Sequence, residues 1–315
     1  MKRKIVQHGE ATLTVSLPSK WTKKYHLNKG DEVDITERDH ELLVSPDSNN
    51  SKPVKKVELD IDNIDSSYML EWLFAALYKK GFDEITLRYK KANPNQIHQL
   101  LEDNLMGFTI IEQKQGKSVL KLVAQENPEE FDATLKRIFL VTNSFASNVF
   151  EYVKKGDFEH LEDLKFMENS INKLVNFCER ILVKKGYSDH QKTCFYYLVA
   201  WNLEKVCEYY FYDICKYLRK FGKEQISESV LKVFSEVNAM IMVFYDVFYS
   251  FSQEKIIAMD KKQKHLVHKI KSMIREEKLT RNEIIILTAL MEITTKLNMS
   301  GTTMAINYDF EEVKN

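Results

Sequence analysis

The chain has 315 residues, 44% hydrophobic and 29% charged, with only 9 glycines and 5 prolines. It is too long for one ordinary core and too apolar for disorder, and its composition excludes a collagen-like or disulfide-stapled scaffold. Charge balances at 46 against 46, but residues 1 to 30 carry Lys2, Arg3, Lys4, Lys20, Lys23, Lys24 and Lys29 against Glu10 alone, a net of +6 that leaves −6 for the rest. A basic N-terminal stretch on an otherwise acidic chain points to a polyanion as that stretch's partner.

In chain order, residues 3 to 7 and 12 to 16 alternate as strands around the turn "HGE", and Pro18 sets the first turn of a helix over 19 to 25. "NKGD" reads as a tight turn, followed by strands at 32 to 37 and 41 to 45 joined by "RDH". Four short strands give a unit of residues 1 to 47 with barely enough core for a monomer. The segment "PDSNNSKP", 46 to 53, marks a domain boundary.

Residues 54 to 125 read as strand (54 to 61), helix (66 to 80), strand (84 to 89), helix (94 to 105) and a hairpin over 108 to 123 turning at "KQGK". That alternation predicts a small α/β sandwich. After Pro128 no proline occurs, and long 3.6-residue periodicity is punctuated by "KKGD", "KKGY" and "FGKE", each placing a glycine where a helix C-cap falls. ENSINKLV (168 to 175) aligns with DKKQKHLV (260 to 267), and WNLEKVCE (201 to 208) with ALMEITTK (289 to 296). The offsets of 92 and 88 residues predict tandem three-helix bundles over 130 to 222 and 226 to 312, within a helical domain of residues 130 to 315. The fold class is therefore multidomain α+β, with a β head, an α/β sandwich and an all-α body.

Cys178, Cys194, Cys207 and Cys215 lack C-x-x-C spacing and are expected to be buried thiols of a cytoplasmic protein. The most apolar window, 230 to 251, is broken by Lys232, Glu236 and Asp246, so no membrane span is expected, nor is a signal peptide. "GKS" at 116 to 118 is rejected as a P-loop, since the upstream glycine position is Ile111 and the segment lies in a hairpin. His265 and His268 share a helix face with Lys261, Lys262, Lys264 and Lys269, which oppose a metal. No catalytic array is present, and no enzyme is expected.

The stretches "LTVSLPSKW" and "LNKGDEVDI" resemble the AbrB/SpoVT swapped-hairpin DNA-binding domains over residues 3 to 46, with Trp21 a departure from the family's pattern. The resemblance implies a homodimer whose two chains interleave into one core. Lys2, Arg3, Lys4, Lys20, Lys23 and Lys24 would then contact phosphates of double-stranded DNA, with His8 a further candidate contact. A merely solvated basic face is the alternative, disfavoured because the cations are so little interspersed with acids; for His8 an exposed histidine without a role is the favoured reading.

The helical half resembles PhoU-type phosphate-uptake regulators through 107 to 141 and the phase of its repeat, and the module order is similar to archaeal proteins joining both families. That resemblance implies E/D-x-x-x-D motifs able to share a metal. Here the positions read Glu168 with Asn172, Glu204 with Glu208, Asp260 with Lys264 and Glu292 with Lys296, so one motif alone keeps two carboxylates. No cofactor is expected. Helix-surface charges paired at i,i+4 are the favoured reading, and a divalent metal at Glu168, Glu204 and Glu208 is the alternative. The aromatics of "CFYYLVAW" and "CEYYFYDICKYL" are expected to pack between helices. The expected function is a dimeric transcriptional regulator linked to phosphate uptake. The competing reading is an adaptor that binds a phosphate transporter or signalling kinase, its head serving mainly in dimerisation.

Overall fold

The computed structural model describes residues 2–38, 41–46, 54–64, 66–90, 94–124 and 127–308, which divide into two units, Met1–Val54 and Lys55–Asn315. The "RDH" turn and the segment over 46 to 53 fall largely outside the described residues.

In the first unit β1 (Ile5–His8) pairs antiparallel with β2 (Thr12–Val15), α1 spans Ser19–Lys24, and β3 (Val33–Arg38) pairs antiparallel with β4 (Glu41–Pro46). The hairpins form two separate two-stranded sheets. Gly9, at φ 76°, and Gly30, at φ 99°, make the tight turns, where a left-handed backbone favours glycine. Lys2 to Lys4 precede β1 and are not strand, and His8 ends β1 opposite Thr12 instead of sitting in the turn.

The second unit begins with a sheet ordered β5-β6-β8-β7, from β5 (Lys56–Asp60), β6 (Glu84–Arg88), β7 (Phe108–Lys114) and β8 (Lys117–Leu122). β5 and β6 are parallel and joined through α2 (Ser67–Lys79), and β8 is antiparallel to both its neighbours. The "GKS" segment is confirmed in the β7–β8 hairpin. Leu70, Phe74, Leu77 and Tyr78 make an i, i+4, i+7, i+8 stripe on α2. With Ile97, Leu100 and Leu101 of α3 (Pro94–Asn104) they pack on Ile85, Leu87 and Leu120 of the sheet.

The helical body comprises α4 (Glu130–Lys155), α5 (Lys165–Lys185), α6 (Thr193–Glu208), α7 (Lys216–Phe221), α8 (Glu228–Tyr249), α9 (Gln253–Glu276), α10 (Arg281–Leu297) and α11 (Ser300–Asn307). A π-helical stretch, Tyr209–Cys215, joins α6 to α7. These helices share one continuous core: α4 packs on α8, and α6 on α10. Gly156 caps α4 at φ 70°, in the left-handed region. Gly222 has an ordinary φ of −68° and is demanded by space, since a Cβ there would meet Leu218 O and the Phe158 ring at 2.5 Å. Cys178, Cys207 and Cys215 are buried, whereas Cys194 is exposed, because it falls on the outer face of α6. Among the described residues no helix is long and apolar enough to cross a membrane.

The α/β layer and the helical body meet where α2 and α3 pack on α5. The pin is Arg180 on α5, which is fully buried. Its guanidinium donates to Tyr78 O at 2.6 Å, Phe82 O at 2.8 Å and Asp83 Oδ1 at 2.6 Å, and lies 4.8 Å from the Tyr78 ring centroid. Lys184 adds a 2.7 Å ion pair to the same Asp83 oxygen. Burial alone would raise the Asp83 carboxyl, but the Lys184 hydrogen bond, the Lys55 N–H and the two cations hold it below its ordinary range. Replacing Arg180 by Met strands a carboxylate and two carbonyls, and should cost about 3 to 5 kcal/mol in denaturant unfolding. Lys184→Met, at a partly exposed site, should cost under about 1 kcal/mol in the same assay.

Candidate functional site

Two regions hold the residues singled out by sequence. In the head, Lys2, Arg3, Lys4, His8, Lys20, Lys23 and Lys24 are all exposed. Lys20, Lys23 and Lys24 stand at i, i+3 and i+4 on α1 and so project from one face. Trp21 packs its ring 5.4 Å from that of Tyr25, and Lys24 Nζ lies 5.2 Å from the Tyr25 ring centroid. Not one described residue of the head is buried, and Ile5, Leu13 and Leu42 are 67%, 69% and 68% exposed.

The second region is a cleft of about 560 Å³ within the second unit, between α2, α5 and α6 with its π-helical extension. Each wall follows helical spacing. Tyr68, Glu71, Trp72 and Lys79 come from the face of α2 opposite its sheet-packed stripe, Glu168, Asn172 and Asn176 from every fourth residue of α5, and Trp201, Glu204, Lys205 and Glu208 from one face of α6. The π-helical turn widens the helix and adds Tyr209, Tyr212 and Asp213 to that face.

Glu168, Glu204 and Glu208 therefore line one cavity; Glu168 and Glu204 are not helix-surface charges, whereas Glu208, 34% exposed, is paired with a nearby cation as expected. Glu168 is fully buried, because α2 closes over it, and it takes hydrogen bonds from Lys165 Nζ and, at 2.8 Å, from Asn172 Nδ2. Glu208 pairs with Lys205 at 2.7 Å. Both ion pairs are i,i+3, whereas the expected i,i+4 pairing occurs between Asp260 and Lys264, at 2.7 Å on the surface. Glu204 has only a 3.9 Å approach from Lys205; its Oε2 is buried with no hydrogen-bond partner, as is Asn172 Oδ1. Among the described residues no three His, Cys, Asp or Glu side chains converge closely enough to hold a metal ion, the His265 and His268 face included.

Burial pushes the Glu204 carboxyl up to about 7, with the Lys205 charge opposing and Glu179 adding to the rise. Burial likewise raises Glu71 and Asp213, the latter helped by Glu208 and Glu292. Glu179, buried behind the cleft, is paired with Lys79 at 3.0 Å. Tyr210 and Phe211 pack in the core as expected; Tyr209 and Tyr212 pack against that core and also line the cleft, together with Trp201. The contribution of α2 was missed from sequence, although the spacing of Tyr68, Glu71, Trp72 and Lys79 beside an apolar stripe is a legible second face.

No protein-family model, curated protein or solved structure matches the chain.

A carboxyl raised from its ordinary 4.5 to about 7 keeps a proton in the folded state that the unfolded chain has already released. The contribution of this one group to folding stability is thus fully present below about 4.5, falls as pH climbs and is lost above about 7. Glu204→Gln should raise unfolding free energy at pH 8 by on the order of 2 kcal/mol and leave it unchanged near pH 4, as read by denaturant titration.

Proposed function

We propose that the chain is a DNA-binding transcriptional regulator that acts as a homodimer built through its head, in the setting of phosphate uptake. The observation that carries this reading is the exposure, together in one small unit, of the apolar side chains of both hairpins and of a cluster of cations. An isolated two-stranded hairpin is marginal in water, and Ile5, Leu13 and Leu42 exposed on such hairpins call for a second layer. A second copy supplies it, with self-complementary faces as two-fold symmetry requires. Doubling the head doubles the candidate phosphate contacts, from six to twelve beyond His8, and spreads them over a surface able to follow a phosphate backbone.

The full chain should sediment as a dimer at micromolar concentration, and Leu13→Asp with Leu42→Asp should shift it toward monomer. A monomeric parent chain would remove the basis of the reading. With about six phosphates contacted at once, log affinity for duplex DNA should fall against log salt with a slope of roughly −5. Lys23→Glu with Lys24→Glu should weaken binding to every sequence and flatten that slope at unchanged helix content in circular dichroism. Undiminished binding by the double variant would favour the adaptor reading.

A further inference from the structure

The cleft has more carboxylates than its own cations satisfy. Its ammonium groups are already engaged: Lys79 by Glu179 at 3.0 Å, Lys205 by Glu208 at 2.7 Å, and the neighbouring Lys165 by Glu168. Glu71 feels the Lys165 charge and has an Asn104 hydrogen bond but, like Asp213, is in no ion pair among the described residues, and Glu204 Oε2 is buried without a hydrogen-bond partner. A buried polar atom left unpaired is costly, and its persistence beside an open cavity of about 560 Å³ is the mark of a place for a ligand.

The chemistry of that ligand follows from the walls. Two of the protein's own ammonium groups here, those of Lys205 and Lys165, each meet a carboxylate and an aromatic ring, and Lys296 Nζ lies 5.3 Å from the Trp201 ring centroid as well. Lys205 Nζ lies 5.5 Å from the Trp201 ring centroid, and Lys165 Nζ lies 5.3 Å from that of Tyr212. The same combination is left open at the mouth, where Trp72 is 67% and Tyr68 51% exposed beside Glu71. Carboxylates and aromatic faces together bind organic cations through charge-assisted hydrogen bonds and cation–π attraction. An anion is opposed by the excess of carboxylates, and a bare metal ion lacks three converging ligands among the described residues.

Length decides between one ammonium group and several. Glu204 and Asp213 are nine residues apart on one continuous helix, at most about 13 Å along its axis, since the last part is π-helical. Glu71 stands on the opposite wall, on α2. No single cationic centre serves all three, whereas a flexible chain of methylenes carrying ammonium groups does. We propose that this cleft binds a linear di- or polyamine, its ammonium groups distributed over Glu71, Glu204 and Asp213 and its chain lying against Trp72 and Tyr209.

The site stands whether or not the head binds DNA, so it is tested by direct binding to the full chain. Isothermal titration of spermidine at pH 8 and about 0.15 M salt, where surface charge is largely screened, should show one saturable site. Trp72→Ala should weaken it by about threefold to thirtyfold, and Glu204→Gln by at least about fivefold. Glu276→Gln, on the far surface of α9, should leave it unchanged. Absence of saturable binding overturns the proposal, as does equal affinity in the Trp72 and Glu204 variants. Displacement of spermidine by Mg²⁺ at matched charge concentration would mean a diffuse counterion effect and would overturn it too. Trp72 is exposed, so its variant keeps the proposal falsifiable should Glu204→Gln misfold.

Discussion

Burying the Arg180 guanidinium is the constraint on which the second unit depends. A charge taken fully out of water is tolerated only when it is paired and hydrogen-bonded, and here Tyr78 O, Phe82 O and the Asp83 carboxylate provide three acceptors, one of them charged. Two of those acceptors are carbonyls at and just beyond the C-terminal end of α2, where unsatisfied oxygens gather and a positive charge is favoured by the helix dipole. The contact therefore fixes both the position and the rotation of α2 on α5. With its apolar stripe on the sheet, its other face is left to close the cleft.

That closure changes the chemistry of residues far along the chain. Glu168, Glu204 and Glu208 sit on helices that alone would leave them in water; covered by α2, they are buried or half-buried. Lysines near in sequence answer two of them, and the third, Glu204, is left with a raised carboxyl and an unpaired oxygen. The π-helical turn adds Tyr209, Tyr212 and Asp213 to the same wall, at the cost of irregular backbone hydrogen bonding in the middle of a long helix.

The head follows the opposite logic. Its two hairpins bury nothing among the described residues, and its cations meet water, so its order has to come from outside the single chain or from very local contacts such as Trp21 on Tyr25. The helical body draws its stability from one continuous buried core.

The elements themselves were legible in the sequence. The strand alternation around "HGE" and the α2 stripe of Leu70, Phe74, Leu77 and Tyr78 depend on neighbours in the chain, as does the left-handed cap at Gly156. The basic face of α1 is equally local, since i, i+3 and i+4 fix it once a helix exists. Burial of charge was not legible, because it is decided by an element folded back from elsewhere: Arg180 meets an acceptor 97 residues away, and Glu168 is covered by a helix about a hundred residues earlier in the chain. The i,i+4 rule expected Glu168, Glu204 and Glu208 in solvent. The tertiary structure alone brought α2 over them, and with that turned three surface-like carboxylates into the wall of a cavity.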